Sequence, residues 1–496
     1  MRKIVNILPA NKTFFRFSVL DSEIYEGIVN HFSFDTPKYF KTGYDKISLV
    51  KNRCLFYVGL FNEFIEYLER NDIQYKIHGK ILEREKISDT VLRNFIDGIK
   101  LKHDLHFYQF DAIKSVIENK REVVLSPTSS GKSLIISALL AYFMCKNQNT
   151  DKKALVIVPN CFLVNQLFAQ IKEYFENSFP LEKLVQKVHG DIPEKERDLS
   201  KPIILTTWQS QRNTNSKFLE LFETRFLEKV DMVLYDEVQY SPAKESKSVI
   251  ESTINASYKV GFTGTLYDDN EYRNTVIKAM FGDVVSSIST REMIDFGFAS
   301  KIKVYSINLK SSSTYQPMDY FTEVETLKES ENYMRYVLSF ISKEFSDGNT
   351  LVLHRGVKYG MKCAEYFARL NPNRKVYVIN GSIKPSERER IRKLLETVTG
   401  AVVFATYETT AQGVSINNLN YGVLLEGMKS NIKVLQSLGR MLRKHPEKEY
   451  AFLFDFVPEF INKRGDQYLK QHGDKRLSYY RREQHELEVI SKKFDF

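Results

Sequence analysis

The order of apolar and polar positions divides the chain into a short mixed lead and two longer stretches of alternating strands and helices. In the lead, residues 5–8, 14–19, 47–50, 54–58 and 75–77 carry strand patterns, and 22–32 a short helix. Within 60–71, Phe61, Phe64, Ile65 and Leu68 recur at helical spacing, which predicts an amphipathic helix. The charged stretch 83–102 reads as a linker. From Phe107 the rhythm changes. Apolar strands at 123–125, 154–158, 202–206, 230–236 and 259–262 each end in small or polar residues before a helical stretch. That is the βαβ pattern of a parallel sheet. After a boundary near 296–302 the pattern returns, with strands at 350–353, 376–379, 401–405, 421–425 and 451–454. The predicted fold is α/β: two parallel-sheet domains at 99–298 and 299–460, a small N-terminal α+β accessory domain at 1–98, and a basic helical tail at 461–496.

Ligands of such sheets gather beyond the carboxyl ends of the strands, so the residues there carry the chemistry. After Val123-Val124-Leu125 comes Ser126-Pro127-Thr128-Ser129-Ser130-Gly131-Lys132-Ser133, followed by an apolar helix. This is the setting of a P-loop, in which backbone N–H groups cradle phosphates, Lys132 reaches the β- and γ-phosphates and Ser133 holds Mg²⁺. Ser126 stands where the pattern has its first glycine. About a hundred residues on, Asp236 ends an apolar strand, suited to share the Mg²⁺ with Ser133, and Glu237 is placed to take a proton from the attacking water. Upstream, Tyr108-Gln109 offers a ring to stack on adenine and an amide for its edge. In the second α/β stretch, Gln436, Arg440 and Arg443 lie at i, i+4 and i+7, which puts two guanidinium groups on one helix face. Such forks suit phosphate oxygens, and an arginine from a second domain stabilises phosphoryl transfer; Arg443 is the expected finger.

Composition adds a partner and removes some classes. Lys and Arg number 72 against 62 Asp and Glu, a net charge of +10 with a pI near 9.0, which favours a polyanion. In the lead, aromatic and basic residues interleave at Phe14-Phe15-Arg16-Phe17 and around Lys38, Lys41 and Lys46, either as a nucleic-acid face or as a small core with its aromatics inward. The four cysteines are far apart with no C-x-x-C pair, so neither a zinc site nor a disulfide framework is expected, and a reducing cytoplasm is. No apolar run approaches the roughly 20 residues that span a bilayer, so no membrane is expected.

The tetrad Asp236-Glu237-Val238-Gln239 with Thr263-Gly264-Thr265 resembles the superfamily 2 helicases and translocases, across nearly all of 107–456. The resemblance implies two RecA-like motor domains, ATP with Mg²⁺, and roles for the matching motifs. Tyr108-Gln109 is similar to the Q-motif, and Pro127 through Ser133 to motif I, which in that family tolerates a non-glycine first position. Pro159-Asn160 and Thr207-Trp208-Gln209 resemble motifs that touch the nucleic-acid backbone, and Thr263-Gly264-Thr265 the motif coupling hydrolysis to domain closure. His354-Arg355, Thr406 with Thr410 and Gly413, and Gln436 through Arg443 are similar to motifs IV, V and VI. The lead residues His31 to Asp35, Gly43-Tyr44-Asp45 and 61–75 resemble the recombination helicases of T-even phages, as do Thr207-Trp208-Gln209 and the run from Lys429 to Arg440. That family implies remodelling of forks, Holliday junctions, D-loops and R-loops by a monomer, alongside phage recombination proteins in the host cytoplasm. The motor motifs also leave open a restriction-system translocase and an RNA helicase, because they mostly touch backbone.

Overall fold

The computed structural model describes residues 4–37, 44–175, 180–207, 226–268, 270–411, 416–430, 434, 439, 441, 443–445, 448–465 and 467–496. They form two units, Met1–Ser126 with Gly131–Ser287, and Pro127–Ser130 with Ile288–Phe496.

The first unit begins with strands β1 (Ile4–Pro9) and β2 (Phe14–Ser18), helix α1 (Ser22–His31), and strands β3 (Ser33–Pro37), β4 (Tyr44–Ser48) and β5 (Leu55–Tyr57). Helix α2 (Phe61–Arg70) and strand β6 (Gln74–Ile77) follow. The sheet order is β5-β2-β1-β6, with β3 and β4 as a separate antiparallel pair. Phe15, Phe17, Phe56 and Phe64 are fully buried, and rings pack edge to face or tilted, as in Phe15 against Phe64 with centroids 5.1 Å apart. The inward reading of these aromatics therefore holds, and only Arg16 of that quartet faces solvent. Helix α3 (Asp89–Ile99) then leads into α4 (Phe107–Asn119).

Seven parallel strands follow: β7 (Arg121–Leu125), β8 (Lys153–Val158), β9 (Val185–Val188), β10 (Ile203–Thr207), β11 (Val230–Asp236), β12 (Tyr258–Thr263) and β13 (Val284–Ser286). Their order is β13-β7-β12-β11-β8-β10-β9, so every carboxyl end lies along one edge. These strands are apolar throughout because both faces are covered. On one face, Val124, Val156, Met232, Leu234 and Val260 pack with α4, α5 (Lys132–Lys146) and α6 (Cys161–Tyr174). On the other, Val123, Leu155, Val233 and Tyr235 belong to the same apolar cluster as Val5, Phe15, Phe56 and Phe64.

Residues 1–98 thus share a core with the first motor sheet instead of forming the separate domain expected. Polar contacts reinforce the junction: the buried Lys259 Nζ donates to Thr13 Oγ1 and to the Ile250 carbonyl, both at 2.7 Å, and Tyr57 and Lys51 both engage Glu251.

In the second unit, strands β14 (Lys301–Ser311), β15 (Thr350–His354), β16 (Val376–Ile379), β17 (Val402–Thr406), β18 (Tyr421–Leu424), β19 (Tyr450–Glu459) and β20 (Glu486–Phe494) form another all-parallel sheet. Its order is β16-β17-β15-β18-β19-β14-β20. The last strand corrects the expectation of a basic tail. Residues 461–496 supply a helix, Tyr468–Arg482, and an edge strand beside β14. Arg476, a basic residue of that stretch, is fully buried, and its Nε and Nη2 grip Asp455 at 2.8 and 2.7 Å. A guanidinium can be buried only when so paired, and the pair fastens the helix to β19.

Candidate functional site

Four strands bring the predicted nucleotide chemistry to one edge. β7, β12, β11 and β8 are neighbours, with Leu125 opposite Thr263, Phe262 opposite Asp236 and Tyr235 opposite Ile157. Pairing continues one residue into the loop, where Ser126 N donates to the Thr263 carbonyl at 2.9 Å. Lys132 opens α5 and its Nζ donates to the Ser126 carbonyl at 3.0 Å. Gly131 has φ +81°, a conformation L side chains avoid, and a Cβ there would stand 2.3 Å from Gln109 Nε2. Gln109 is itself fixed, accepting from the His106 backbone N–H at 2.9 Å. The sequence pairing of Tyr108-Gln109 with the P-loop is therefore a direct packing of Gln109 on the glycine.

Tyr108 does not keep its predicted role. Its side chain is buried, which pushes the phenol up to about 12, and its ring lies stacked beside His106. The outward ring is Phe107, 51% exposed. Helical periodicity carries the signal: Tyr108 shares its face with Ala112, and Phe107 with Asp111 and Lys114.

Asp236 ends β11 as expected, and Glu237 follows it in the turn. Desolvation first, then the Glu237 carboxylate, push the Asp236 carboxyl well above the usual range, and Lys132 pulls it back. A divalent cation would relieve that charge, and Asp236 is the acidic group placed for it; the Ser133 hydroxyl meets the Tyr174 hydroxyl at 3.1 Å. Glu237 has φ +55°, a left-handed conformation uncommon for a non-glycine residue. Gln239, given no role from the sequence, orients it: its Nε2 donates to Glu237 Oε2 at 2.7 Å, and its Oε1 accepts from Thr263 Oγ1 at 2.6 Å. Glu237 and the Thr263 motif are joined through one amide.

Of the proposed nucleic-acid groups, Pro159 is buried and Asn160 caps α6, its Oδ1 accepting from Leu163 N at 3.0 Å. Asn160 Nδ2 is buried with no partner among the described residues. Thr207 is buried at the end of β10. Lys46 is exposed on β4, not on a loop, and donates to Asn30 Oδ1 at 2.7 Å.

In the second unit, Arg355 is exposed but His354 is fully buried. The helix Val357–Leu370 lays Gly360 directly on the His354 ring, where a Cβ would come within 2.1 Å of it, and burial lowers the imidazole to about 4. Thr406 and Thr410 are also buried: the Thr406 hydroxyl meets that of Thr409 at 2.6 Å, and Thr410 Oγ1 donates to the Thr406 carbonyl at 3.0 Å. His354, Thr406 and Thr410 are accordingly corrected from nucleic-acid contacts to groups that shape the strand ends. Arg443 Nη1 donates to Asn417 Oδ1 at 3.4 Å, and the Arg443 carbonyl accepts from Ser300 Oγ at 3.1 Å. Lys38, Lys41, Trp208, Gln209, Gly413, Gln436 and Arg440 lie outside the described residues.

Residues 102–268 match the family described as type III restriction enzyme, res subunit, and residues 332–445 the helicase conserved C-terminal domain. The ATP-dependent DNA helicase uvsW of Enterobacteria phage T4 is 25% identical over 456 residues, 88% of each chain. The crystal structure of T4 UvsW is similar with a TM-score of 0.50 at 23% identity, covering 99% of this chain and 100% of that one. Dbp5 of S. cerevisiae bound to RNA and ADP BeF3 is similar with a TM-score of 0.54 at 15% identity, covering 81% of this chain and 93% of that one. No helix among the described residues is long and apolar enough to cross a membrane.

Proposed function

We propose that this chain, which belongs to the superfamily 2 helicases and is an ATP-dependent helicase, spends its hydrolysis on remodelling branched DNA: forks, Holliday junctions, D-loops and R-loops. Its two seven-stranded parallel sheets are RecA-like helicase domains. The observation that carries the DNA reading is the extent of the likeness to the phage T4 DNA helicase: 88% of each chain is matched, well beyond the two motor families.

Within the nucleotide site, Lys132 meets the β/γ-phosphates, and Ser133 and Asp236 are the groups suited to Mg²⁺, whose charge would offset that of the phosphates. Glu237 accepts the proton of the attacking water, and Gln239 holds the carboxylate in the orientation that requires. Arg443 supplies the guanidinium that stabilises charge in transfer, a role resting on its motif. On the nucleic-acid side, the exposed Arg355 is a described donor suited to phosphate oxygens.

The likeness to Dbp5 bound to RNA favours a second reading, an RNA helicase. ATP hydrolysis and strand remodelling measured side by side on fork, Holliday junction, R-loop, single-stranded DNA and single-stranded RNA separate the two. Branched DNA should stimulate turnover most and be converted to products. Turnover driven by RNA with branched DNA left intact overturns the DNA reading, and turnover on linear duplex without junction conversion points to a restriction-type translocase.

A further inference from the structure

Cysteine spacing excludes a multi-cysteine zinc site, but the fold assembles a mixed one. Cys161, at the start of α6 after β8, meets His189 and Asp191, on the loop after β9. One ligand atom from each lies within 4.8 Å of the others. His189 Nδ1 and Asp191 Oδ2 are already 3.7 Å apart, and tetrahedral zinc ligands sit about 3.5 Å from one another. His189 is the informative member: it is 3% exposed, yet neither Nδ1 nor Nε2 has a hydrogen-bond partner among the described residues. A buried imidazole normally satisfies both nitrogens.

We propose that Cys161, His189 and Asp191 bind a borderline-soft divalent cation of the Zn²⁺ class, with three protein ligands and a fourth position open to water. The set combines the donors such an ion prefers, thiolate sulfur, imidazole nitrogen and carboxylate oxygen. On binding, the ion takes the place of the Cys161 thiol proton, which leaves to solvent. The loop is built to present the ligands. Arg197 donates to the carbonyls of Ile192 at 2.9 Å and His189 at 3.2 Å, and Thr206 Oγ1 donates to the Val188 carbonyl at 2.9 Å. With the ion bound, the carboxyl ends of β8 and β9 are tied together across β10.

Full-length protein, freed of metal and titrated with Co²⁺ as a spectroscopic stand-in for Zn²⁺, tests the site. One equivalent should bind with a thiolate-to-cobalt charge-transfer band, and Zn²⁺ should displace it. Cys161→Ser should abolish the band, His189→Gln should weaken binding by more than about 100-fold, and Cys145→Ser should leave both unchanged. Asp191→Asn should weaken binding as well, and its side chain is 80% exposed, so the substitution leaves the core untouched. No band at one equivalent, a band that survives Cys161→Ser, or undiminished affinity in Asp191→Asn overturns the assignment. Cobalt at Ser133 and Asp236 gives no thiolate band, so the outcome is independent of the nucleotide-site reading.

Discussion

Two strand–loop–helix turns, one in each sheet, follow the same order of elements and are used in opposite ways. In the first, β7 runs through Ser126–Gly131 into α5, with Gly131 left-handed and Gln109 packed on it. In the second, β15 runs through Arg355 and Gly356 into the helix Val357–Leu370, and both loop N–H groups donate to Glu426 Oε2, at 2.9 and 3.1 Å. A helix N-terminus attracts an anion. The second turn receives its anion from within the chain, a carboxylate only 3% exposed, while the first has the residue types of a phosphate cradle. Only the first turn therefore keeps an anion site open to a ligand. The second keeps the scaffold with its anion site filled from inside.

The sharpest way to break this comparison is Lys132→Ala. Turnover should fall by at least about 100-fold, as when one donor to a developing negative charge is removed, with the melting temperature unchanged. Turnover near wild type refutes the P-loop assignment. Glu426→Ala probes the other turn. It leaves two backbone N–H groups without their acceptor and should cost about 2 kcal/mol of stability in chemical denaturation. Nucleotide affinity should stay within two-fold of wild type; an equal loss of affinity would mean that the second turn serves the nucleotide after all.

The contrast also separates what the sequence carries from what it hides. Apolar runs such as 154–158 and 401–405 announced strands covered on both faces, and the residues at their carboxyl ends announced the site. Tyr108 against Phe107 was decidable from helical phase alone. His354, Thr406 and Thr410 were not. A polar residue at a strand end looks the same in sequence whether it faces solvent or lies under a helix, and only Gly360 seated on the ring reveals which. The basic segment after residue 460 misled for a similar reason: charge counts cannot show that Arg476 has Asp455 waiting in the core. The shared core of residues 1–98 with the first sheet depends on contacts such as Lys259 to Thr13, some 246 residues apart in sequence, which no local pattern records.

The smallest expected effect tests the first turn's electrostatics without nucleotide. Asp236, desolvated and beside Glu237, keeps its proton in the fold to a pH at which the unfolded chain has lost it. The folded state then binds more protons than the unfolded one, so stability falls as pH rises above the ordinary carboxylate range and through the raised folded-state value. Each pKa unit corresponds to about 1.4 kcal/mol, a shift of about 2 °C or more in melting temperature for a chain of this size. Asp236→Asn removes the titration, so between about pH 5 and pH 8 the variant should lose less thermal stability than the wild type. Mg²⁺ added at the upper end should restore part of the wild type's loss and none of the variant's, since the ion relieves the same charge that burial penalises. Equal slopes for the two proteins would mean that Asp236 is already ionised and compensated in the fold. The turn would then owe its affinity for a cation to Ser133 and the phosphates alone.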